Sequence, residues 1–168
     1  MVDILQINKK KILIIGYGSM GKKYEKILQK DYLIFFYEKK KIKKKNFIKK
    51  LNLFIIKKFY FIIIATPPKY HKKYCDMCVK ASKDFIVEKP LFIKKKGWRK
   101  TILDIKKKKL ICSVAYPRRE SIVHDYIKKI IKKGKIGKLK IIKSNFSQDF
   151  RKLRQDYKKI YYSKMNES

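Results

Sequence analysis

The chain has 168 residues, which is enough for one well-packed domain and a fragment of a second. Its hydrophobic fraction of 45% is typical of a globular protein and excludes a disordered one. The net charge of +35 comes almost entirely from lysines spread along the chain. We attribute this charge to a Lys- and Ile-rich composition, because nucleic-acid sites favour Arg, and we keep a nucleic-acid partner only as the alternative.

Strands and helices alternate along the first two thirds of the chain. Short apolar runs predict buried strands at residues 11–15, 32–37, 59–65, 85–88 and 110–115. Helix-spaced apolar residues predict helices at residues 19–29, 69–82 and 98–108. The basic segment 39–50 predicts a loop or a solvated helix. This alternation predicts an α/β fold, a doubly wound parallel sheet over residues 1–117.

The last third of the chain has a different pattern. Residues 124–133 predict a helix, and glycines 134 and 137 frame a turn into a predicted strand at residues 138–146. Residues 151–168 are polar and tyrosine-rich, with no clear element. Because this third is too short to bury its own core, we expect residues 118–168 to be the incomplete start of a second domain.

No segment predicts a secretory signal or a membrane span. The longest uncharged apolar stretch, residues 59–65, is far too short to cross a bilayer. The three cysteines are odd in number, which favours reduced thiols over a disulfide framework. We therefore expect a cytoplasmic protein without a membrane partner.

Gly16, Gly18 and Gly21 form a G-x-G-x-x-G segment between the first predicted strand and the first predicted helix. The first glycine allows a tight turn, the second lets the backbone approach a pyrophosphate, and the third lets the helix pack closely on the strand. The amides near Ser19 and Met20 would then face the phosphates, aided by the helix dipole. In this strand–turn–helix context the segment predicts dinucleotide binding.

Glu38 ends the second predicted strand, twenty positions after Gly18. A carboxylate at this place accepts hydrogen bonds from ribose hydroxyls. It favours NAD, because it repels the 2′-phosphate of NADP. Lys39, Lys40 and Lys41 keep NADP open, since any of them could pair with that phosphate.

Two further segments carry a family resemblance, Ala65-Thr-Pro-Pro-Lys-Tyr-His71 and Glu88-Lys-Pro90. Together with the glycine loop they resemble the Gfo/Idh/MocA family of NAD(P)-dependent oxidoreductases, which includes glucose–fructose oxidoreductase and inositol dehydrogenase. The resemblance extends to about residue 148. It implies an NAD(P)-binding Rossmann domain at residues 1–117. Residues 118–168 would then begin an α/β domain for substrate binding and oligomerisation.

The resemblance implies hydride transfer at a CH–OH group of a sugar, nucleotide-sugar or related polyol, with Lys89 as the candidate catalytic residue. A cation beside the reacting oxygen stabilises developing alkoxide charge and can relay a proton. Tyr116 and Arg119 are weaker candidate substrate contacts. The implied cofactor contacts are Gly16, Tyr17, Gly18, Ser19, Met20, Gly21, Glu38, Ala65, Thr66, Pro67, His71, Glu88 and Lys89.

Several of these residues have structural alternatives. Lys89 could be a solvated surface charge in a lysine-rich chain. His71 could cap its helix or bind a backbone carbonyl instead of contacting the cofactor. Cys75 and Cys78 form a C-x-x-C, but they share helix spacing with His71 and no second ligand pair accompanies them. We interpret both cysteines as small core residues and expect no metal site.

In the family, an Asp and a catalytic His lie in the second domain, beyond the point where this chain ends. We therefore expect a truncated or split-gene form that binds nucleotide with little activity alone, so that its standing as an enzyme stays open. The expected partners are a dinucleotide, a small sugar-type substrate, and a complementary C-terminal chain or a second copy at the open edge of the strand at 138–146. The alternative function is a non-enzymatic nucleotide-binding or basic nucleic-acid-binding module.

Overall fold

The computed structural model describes residues 9–93, 96–145, 147 and 149. The strands are β1 (Lys11–Ile15), β2 (Leu33–Tyr37), β3 (Phe61–Ile64), β4 (Phe85–Glu88) and β5 (Cys112–Ala115). The helices are α1 (Ser19–Leu28), α2 (Leu53–Lys57), α3 (His71–Lys80), α4 (Trp98–Lys107) and α5 (Ile122–Lys132), with 3₁₀ turns at Pro68–Tyr70 and Pro117–Glu120. The chain divides into two compact units, Met1–Tyr116 and Pro117–Ser168.

The five strands form one parallel sheet in the order β2-β1-β3-β4-β5. At its centre, Ile14 of β1 lies between Phe36 of β2 and Ile63 of β3. The strand order reverses at β1, because β2 lies on one side of it and β3 on the other. Open parallel sheets bind ligands outside the carboxyl ends of the strands at such a switch point. The sheet confirms the predicted doubly wound α/β fold.

Alternate residues of the strands enter two separate apolar layers. Leu13 and Ile15 belong to the layer that contains buried residues of α2, α3 and α4. Ile12 and Ile14 belong to the opposite layer, against which Tyr24 and Leu28 of α1 pack. Because helices cover both faces, the strands are apolar at nearly every position, and this made them recognisable in the sequence.

The short helix α2 was not predicted. Its five residues are too few to display a helical period, although Asn52 caps it by accepting a hydrogen bond from the Ile55 amide at 2.9 Å. The basic segment 39–50 is a loop, not a solvated helix. A parallel bridge joins Phe47 of this segment to Phe36 of β2. The other predicted helices and strands up to residue 133 are confirmed, with ends shifted by up to two residues.

The strand predicted at residues 138–146 is wrong for the residues that the structure describes. Residues 138–145 form no strand, and Phe146 lies outside the described residues, as do residues 151–168. A strand needs a neighbour to share its backbone hydrogen bonds, whereas Ile141 and Ile142 are 74% and 72% exposed. Residues 138–145 therefore present no open strand edge, and self-association at this place stays a prediction.

The two cysteines of the C-x-x-C lie in the core, between α3 and the sheet. Cys75 and Cys78 are 1% and 0% exposed, and burial raises the pKa of both thiols well above the usual value. Cys112 is half-buried, and burial raises its pKa to about 11. In the described part of the chain, no group of three or more His, Cys, Asp or Glu side chains could hold a metal. Nor does any described helix have the length and apolar character to cross a membrane.

We expect the folded chain to react slowly with a disulfide reagent at pH 8, because the thiolate is the reacting species and burial suppresses it. Cys112 should react first, and Cys112→Ser should remove this phase. Unfolding in guanidinium should make all three thiols react at once. Mass spectrometry would identify the labelled cysteines. Rapid labelling of Cys75 and Cys78 in the folded chain would contradict their place in the core.

Candidate functional site

The site begins at the switch point of the sheet, where β1 ends. Gly16 has a φ of +97°, in the left-handed region, and its amide donates to the Tyr37 carbonyl at 2.9 Å. A Cβ on Gly16 would lie 2.7 Å from the carbonyl carbon and oxygen of Ala65. Only glycine permits both the left-handed φ and this close approach to Ala65. The turn after β1 and the turn after β3 are therefore in direct backbone contact.

The other two glycines of the loop have opposite surroundings. Gly21 is buried at the start of α1, and a Cβ there would overlap the carbonyl oxygen of Gly16. Gly18 is exposed, and a Cβ built on it would meet nothing within 4 Å. Gly21 thus serves the packing of the helix on its own loop, whereas Gly18 leaves an open cradle in front of the helix.

The start of α1 is suited to an anionic group. Gly18 is the N-cap residue and supplies no side-chain cap, and the first turn contains no acidic residue. The first amides of a helix have no acceptor within the helix, so those near the exposed Ser19 and half-buried Met20 can bind phosphate oxygens. The helix dipole adds to this attraction.

Glu38, at the carboxyl end of β2, is bound to the glycine loop. Its two carboxylate oxygens accept hydrogen bonds from the amides of Tyr17 at 2.9 Å and Lys39 at 2.7 Å. The Tyr17 hydroxyl donates to Glu25, whose carboxylate also pairs with Lys44 at 2.7 Å. The two amides therefore hold the carboxylate of Glu38 in a fixed place beside the cradle.

The turn after β3 contains a buried hydroxyl that lacks a partner. Thr66 Oγ1 is inaccessible to solvent and has no hydrogen bond to any described residue. A buried polar atom without a partner costs free energy, and a bound ligand that supplies the missing hydrogen bond recovers it. Ala65 is half-buried and Pro67 is exposed at the same edge. These observations fit a dinucleotide, whose polar groups would face this turn.

His71 links the turn after β3 to the turn after β4. Its ring is fully buried, with Nε2 2.7 Å from the Thr66 carbonyl oxygen and Nδ1 3.0 Å from that of Pro90. A neutral imidazole has one N–H and donates to only one of these oxygens, whereas an imidazolium donates to both. Because both nitrogens face backbone carbonyls, the structure favours the structural alternative for His71 over direct contact with a cofactor.

Glu88 ends β4 and is held by a residue that the sequence did not single out. Its side chain is only 8% exposed, and Oε1 accepts a hydrogen bond from the Tyr24 hydroxyl at 2.6 Å. Burial and this hydrogen bond raise the pKa of Tyr24 well above its usual value. The available signal was a hydroxyl within the otherwise apolar stripe of α1, three positions after Gly21. Lys89 follows Glu88 with an exposed side chain.

The remaining predicted residues lie further along the chain. Tyr116 follows β5 and is 47% exposed, and its amide donates to the Val114 carbonyl at 2.8 Å. Arg119 is exposed in the second compact unit. The sequence did not predict one contact near the site. The Lys39 ammonium lies 3.8 Å from the centre of the Tyr70 ring, at a distance typical of a cation–π interaction.

Residues 10–116 match the model of a family described as the Gfo/Idh/MocA oxidoreductase family with an NAD-binding Rossmann fold. The fold is similar to that of myo-inositol 2-dehydrogenase from Lactobacillus plantarum, with 20% identity and a TM-score of 0.66 over 79% of this chain and 43% of that one. Apo scyllo-inositol dehydrogenase from Lactobacillus casei gives 21% identity and a TM-score of 0.64 over 77% and 43%. For an NAD binding oxidoreductase from Klebsiella pneumoniae the identity is 17% and the TM-score 0.62, and the match covers 77% of this chain and 40% of that one.

At these identities the likeness to solved structures concerns the fold alone. The chain spans less than half the length of each of these three proteins. No curated protein sequence matches it.

The contrasting glycines give a matched pair of variants. We expect Gly21→Ala to lower the free energy of unfolding by about 3 kcal/mol, because the added methyl group would overlap the backbone of the loop. Gly18→Ala should leave it nearly unchanged, because the methyl group enters open space at an ordinary φ of −77°. Urea unfolding monitored by circular dichroism would measure both. Equal stability of the two variants would contradict the packing role of Gly21.

Proposed function

The chain belongs to the Gfo/Idh/MocA family of oxidoreductases, and from this membership we propose that it binds NAD for the oxidation of a sugar, nucleotide-sugar or related polyol at a CH–OH group. The observation that carries the proposal is the carboxyl edge of the sheet. There the open cradle at Gly18, the fixed carboxylate of Glu38 and the unpartnered hydroxyl of Thr66 adjoin turns that are in backbone contact.

We assign the parts of the dinucleotide along this edge. The pyrophosphate would bind the amides at the start of α1, and the ribose of the adenosine half would donate to Glu38. The nicotinamide half would then extend to the other side of the switch point, over the ends of β3 and β4. Thr66, Glu88 and Lys89 lie at those ends.

Lys89 is the proposed catalytic residue. When bound, NAD accepts the hydride from the alcohol carbon. The ammonium of Lys89 would lie beside the alcohol oxygen, stabilise the developing alkoxide charge and relay the hydroxyl proton to water. Its exposed side chain is compatible with contact to a substrate that arrives from solvent. Tyr116 and Arg119 are proposed substrate contacts.

NAD is favoured over NADP by the surroundings of Glu38. Two backbone amides fix its carboxylate at the end of β2, where the 2′-phosphate of NADP would meet a negative charge. Lys39 is the nearest cation in sequence, but its ammonium lies over the ring of Tyr70. Pairing with a 2′-phosphate would require Lys39 to leave that ring.

The second compact unit supports a proposal about partners. Helix α5 exposes Ile122, Val123, Tyr126 and Ile127, which are 45–87% exposed. These residues recur at a spacing that forms one apolar stripe, and such a stripe is normally covered. We propose that further α/β polypeptide covers it, in a longer form of this protein or in a complementary chain.

Dinucleotide binding is tested by titrating the chain with NADH and recording the nicotinamide fluorescence. We expect saturable binding that Gly18→Val weakens at least 100-fold, because the side chain fills the cradle. Valine fits the extended backbone of Gly18, with φ −77° and ψ −159°, so this variant should fold. Lys89→Met tests the catalytic assignment separately, because it should abolish any turnover of a polyol.

The nucleic-acid alternative makes the opposite prediction in the same experiment. A basic binding module would bind DNA or RNA with strong salt dependence, and Gly18→Val would leave that affinity intact. Nucleic-acid binding of this kind, together with no detectable NADH binding by the unmodified chain, would overturn the proposed function.

Cofactor choice is tested by comparing NADH with NADPH. We expect the unmodified chain to bind NADH at least ten-fold more tightly, because Glu38 repels the 2′-phosphate. Glu38→Gln should bring the two affinities closer together, because it removes the negative charge that repels the 2′-phosphate of NADPH. Lys39→Met serves as a control that should leave NADH affinity unchanged. Tighter binding of NADPH by the unmodified chain would assign the 2′-phosphate to the lysines that follow β2.

A further inference from the structure

Two carboxylates lie at strand ends on opposite sides of the switch point. Glu38 directly follows β2, and Glu88 is the last residue of β4. Each is fixed by a donor from the same segment of chain, Glu38 by the Tyr17 amide and Glu88 by the Tyr24 hydroxyl. Neither forms a salt bridge with a described residue, although the chain carries 48 Lys and Arg against 13 Asp and Glu.

The lack of a cation at Glu88 is informative because its side chain is buried. A buried carboxylate is costly unless hydrogen bonds or an opposite charge compensate it. Its described hydrogen bonds are the short one from Tyr24 at 2.6 Å and a long one of 3.3 Å from the Lys89 amide to Oε2. Oε1 is thus firmly bound, whereas Oε2 keeps accepting capacity for a further donor.

A dinucleotide at this edge supplies such a donor. Its pyrophosphate at the start of α1 separates two riboses, one on the side of β2 and the other on the side of β3 and β4. Each ribose has a pair of hydroxyls that donate well to a carboxylate. With Glu38 on the first side, Glu88 is the described carboxylate at a strand end on the second.

We propose that Tyr24 is a positioning residue for the nicotinamide half of the dinucleotide, which acts by holding Glu88 so that Oε2 accepts from the nicotinamide ribose. This inference rests on the proposed function and adds a residue from the face of α1 that packs against the sheet. A purely apolar role for Tyr24 would need only its ring, and phenylalanine would serve equally well. The hydroxyl has a separate task, because it replaces the missing cation as the partner of a buried charge.

The test uses ligands that report on the two halves of the site separately. We expect Tyr24→Phe to weaken binding of NADH and of reduced nicotinamide mononucleotide at least five-fold, while the affinity for ADP changes less than two-fold. Glu88→Gln should give the same pattern. The double variant should bind reduced nicotinamide mononucleotide no more weakly than the worse single variant, because both changes break one unit.

Tyr32→Phe is the matched control, since Tyr32 packs against the same apolar layer as Tyr24. It should change none of the three affinities. A merely structural role of the Tyr24 hydroxyl would weaken ADP and the nicotinamide fragment together, and that result would overturn the inference. Unchanged affinities in Tyr24→Phe would overturn it as well.

The experiment separates this inference from the proposed function. If the unmodified chain binds neither NADH nor ADP, the proposed function fails and the inference falls with it. If the unmodified chain binds both and Tyr24→Phe binds them equally well, dinucleotide binding stands and only the role of Tyr24 is rejected.

Discussion

The contact between the backbones of Gly16 and Ala65 is the constraint on which the site depends. It joins the turns after β1 and β3, two neighbouring strands at the place where the sheet order reverses. Gly21 adds a second close contact, because its missing side chain lets α1 rest on the carbonyl of Gly16. Helix, loop and neighbouring turn are therefore held without any side chain between them, and the space in front of Gly18 stays open.

Polar side chains extend this backbone arrangement to the other strands. The Tyr17 amide fixes Glu38 at the end of β2, His71 joins the turns after β3 and β4, and Tyr24 fixes Glu88. Each contact uses part of the hydrogen-bonding capacity of the edge. Among the described residues, the groups with spare capacity include the first amides of α1, the Thr66 hydroxyl and the two carboxylates. They line the edge on which open parallel sheets bind ligands.

The large positive charge has little part in this arrangement. The described salt bridges involve Glu25, Asp76, Asp104 and Asp125, and none of them uses the carboxylates at the ends of β2 and β4. Lysines instead cover the surface, and some of them lie over aromatic rings, as Lys39 does over Tyr70. A charge spread in this way raises solubility and attracts anions in general, but it does not by itself make a site.

The sequence by itself determined the strands of the parallel sheet, the helix after the glycine loop and the family. Strands buried on both faces are continuous apolar runs, and the three glycines stand at a fixed spacing within six residues, so both signals can be recognised in short segments of the sequence. A local pattern was not sufficient for residues 138–145, which were predicted as part of a strand but form none. Only the tertiary structure decided the partners of His71 and Tyr24, which lie 19 and 64 positions away at Pro90 and Glu88. Such hydrogen bonds depend on which strand ends the fold brings together, and no spacing along the chain encodes that.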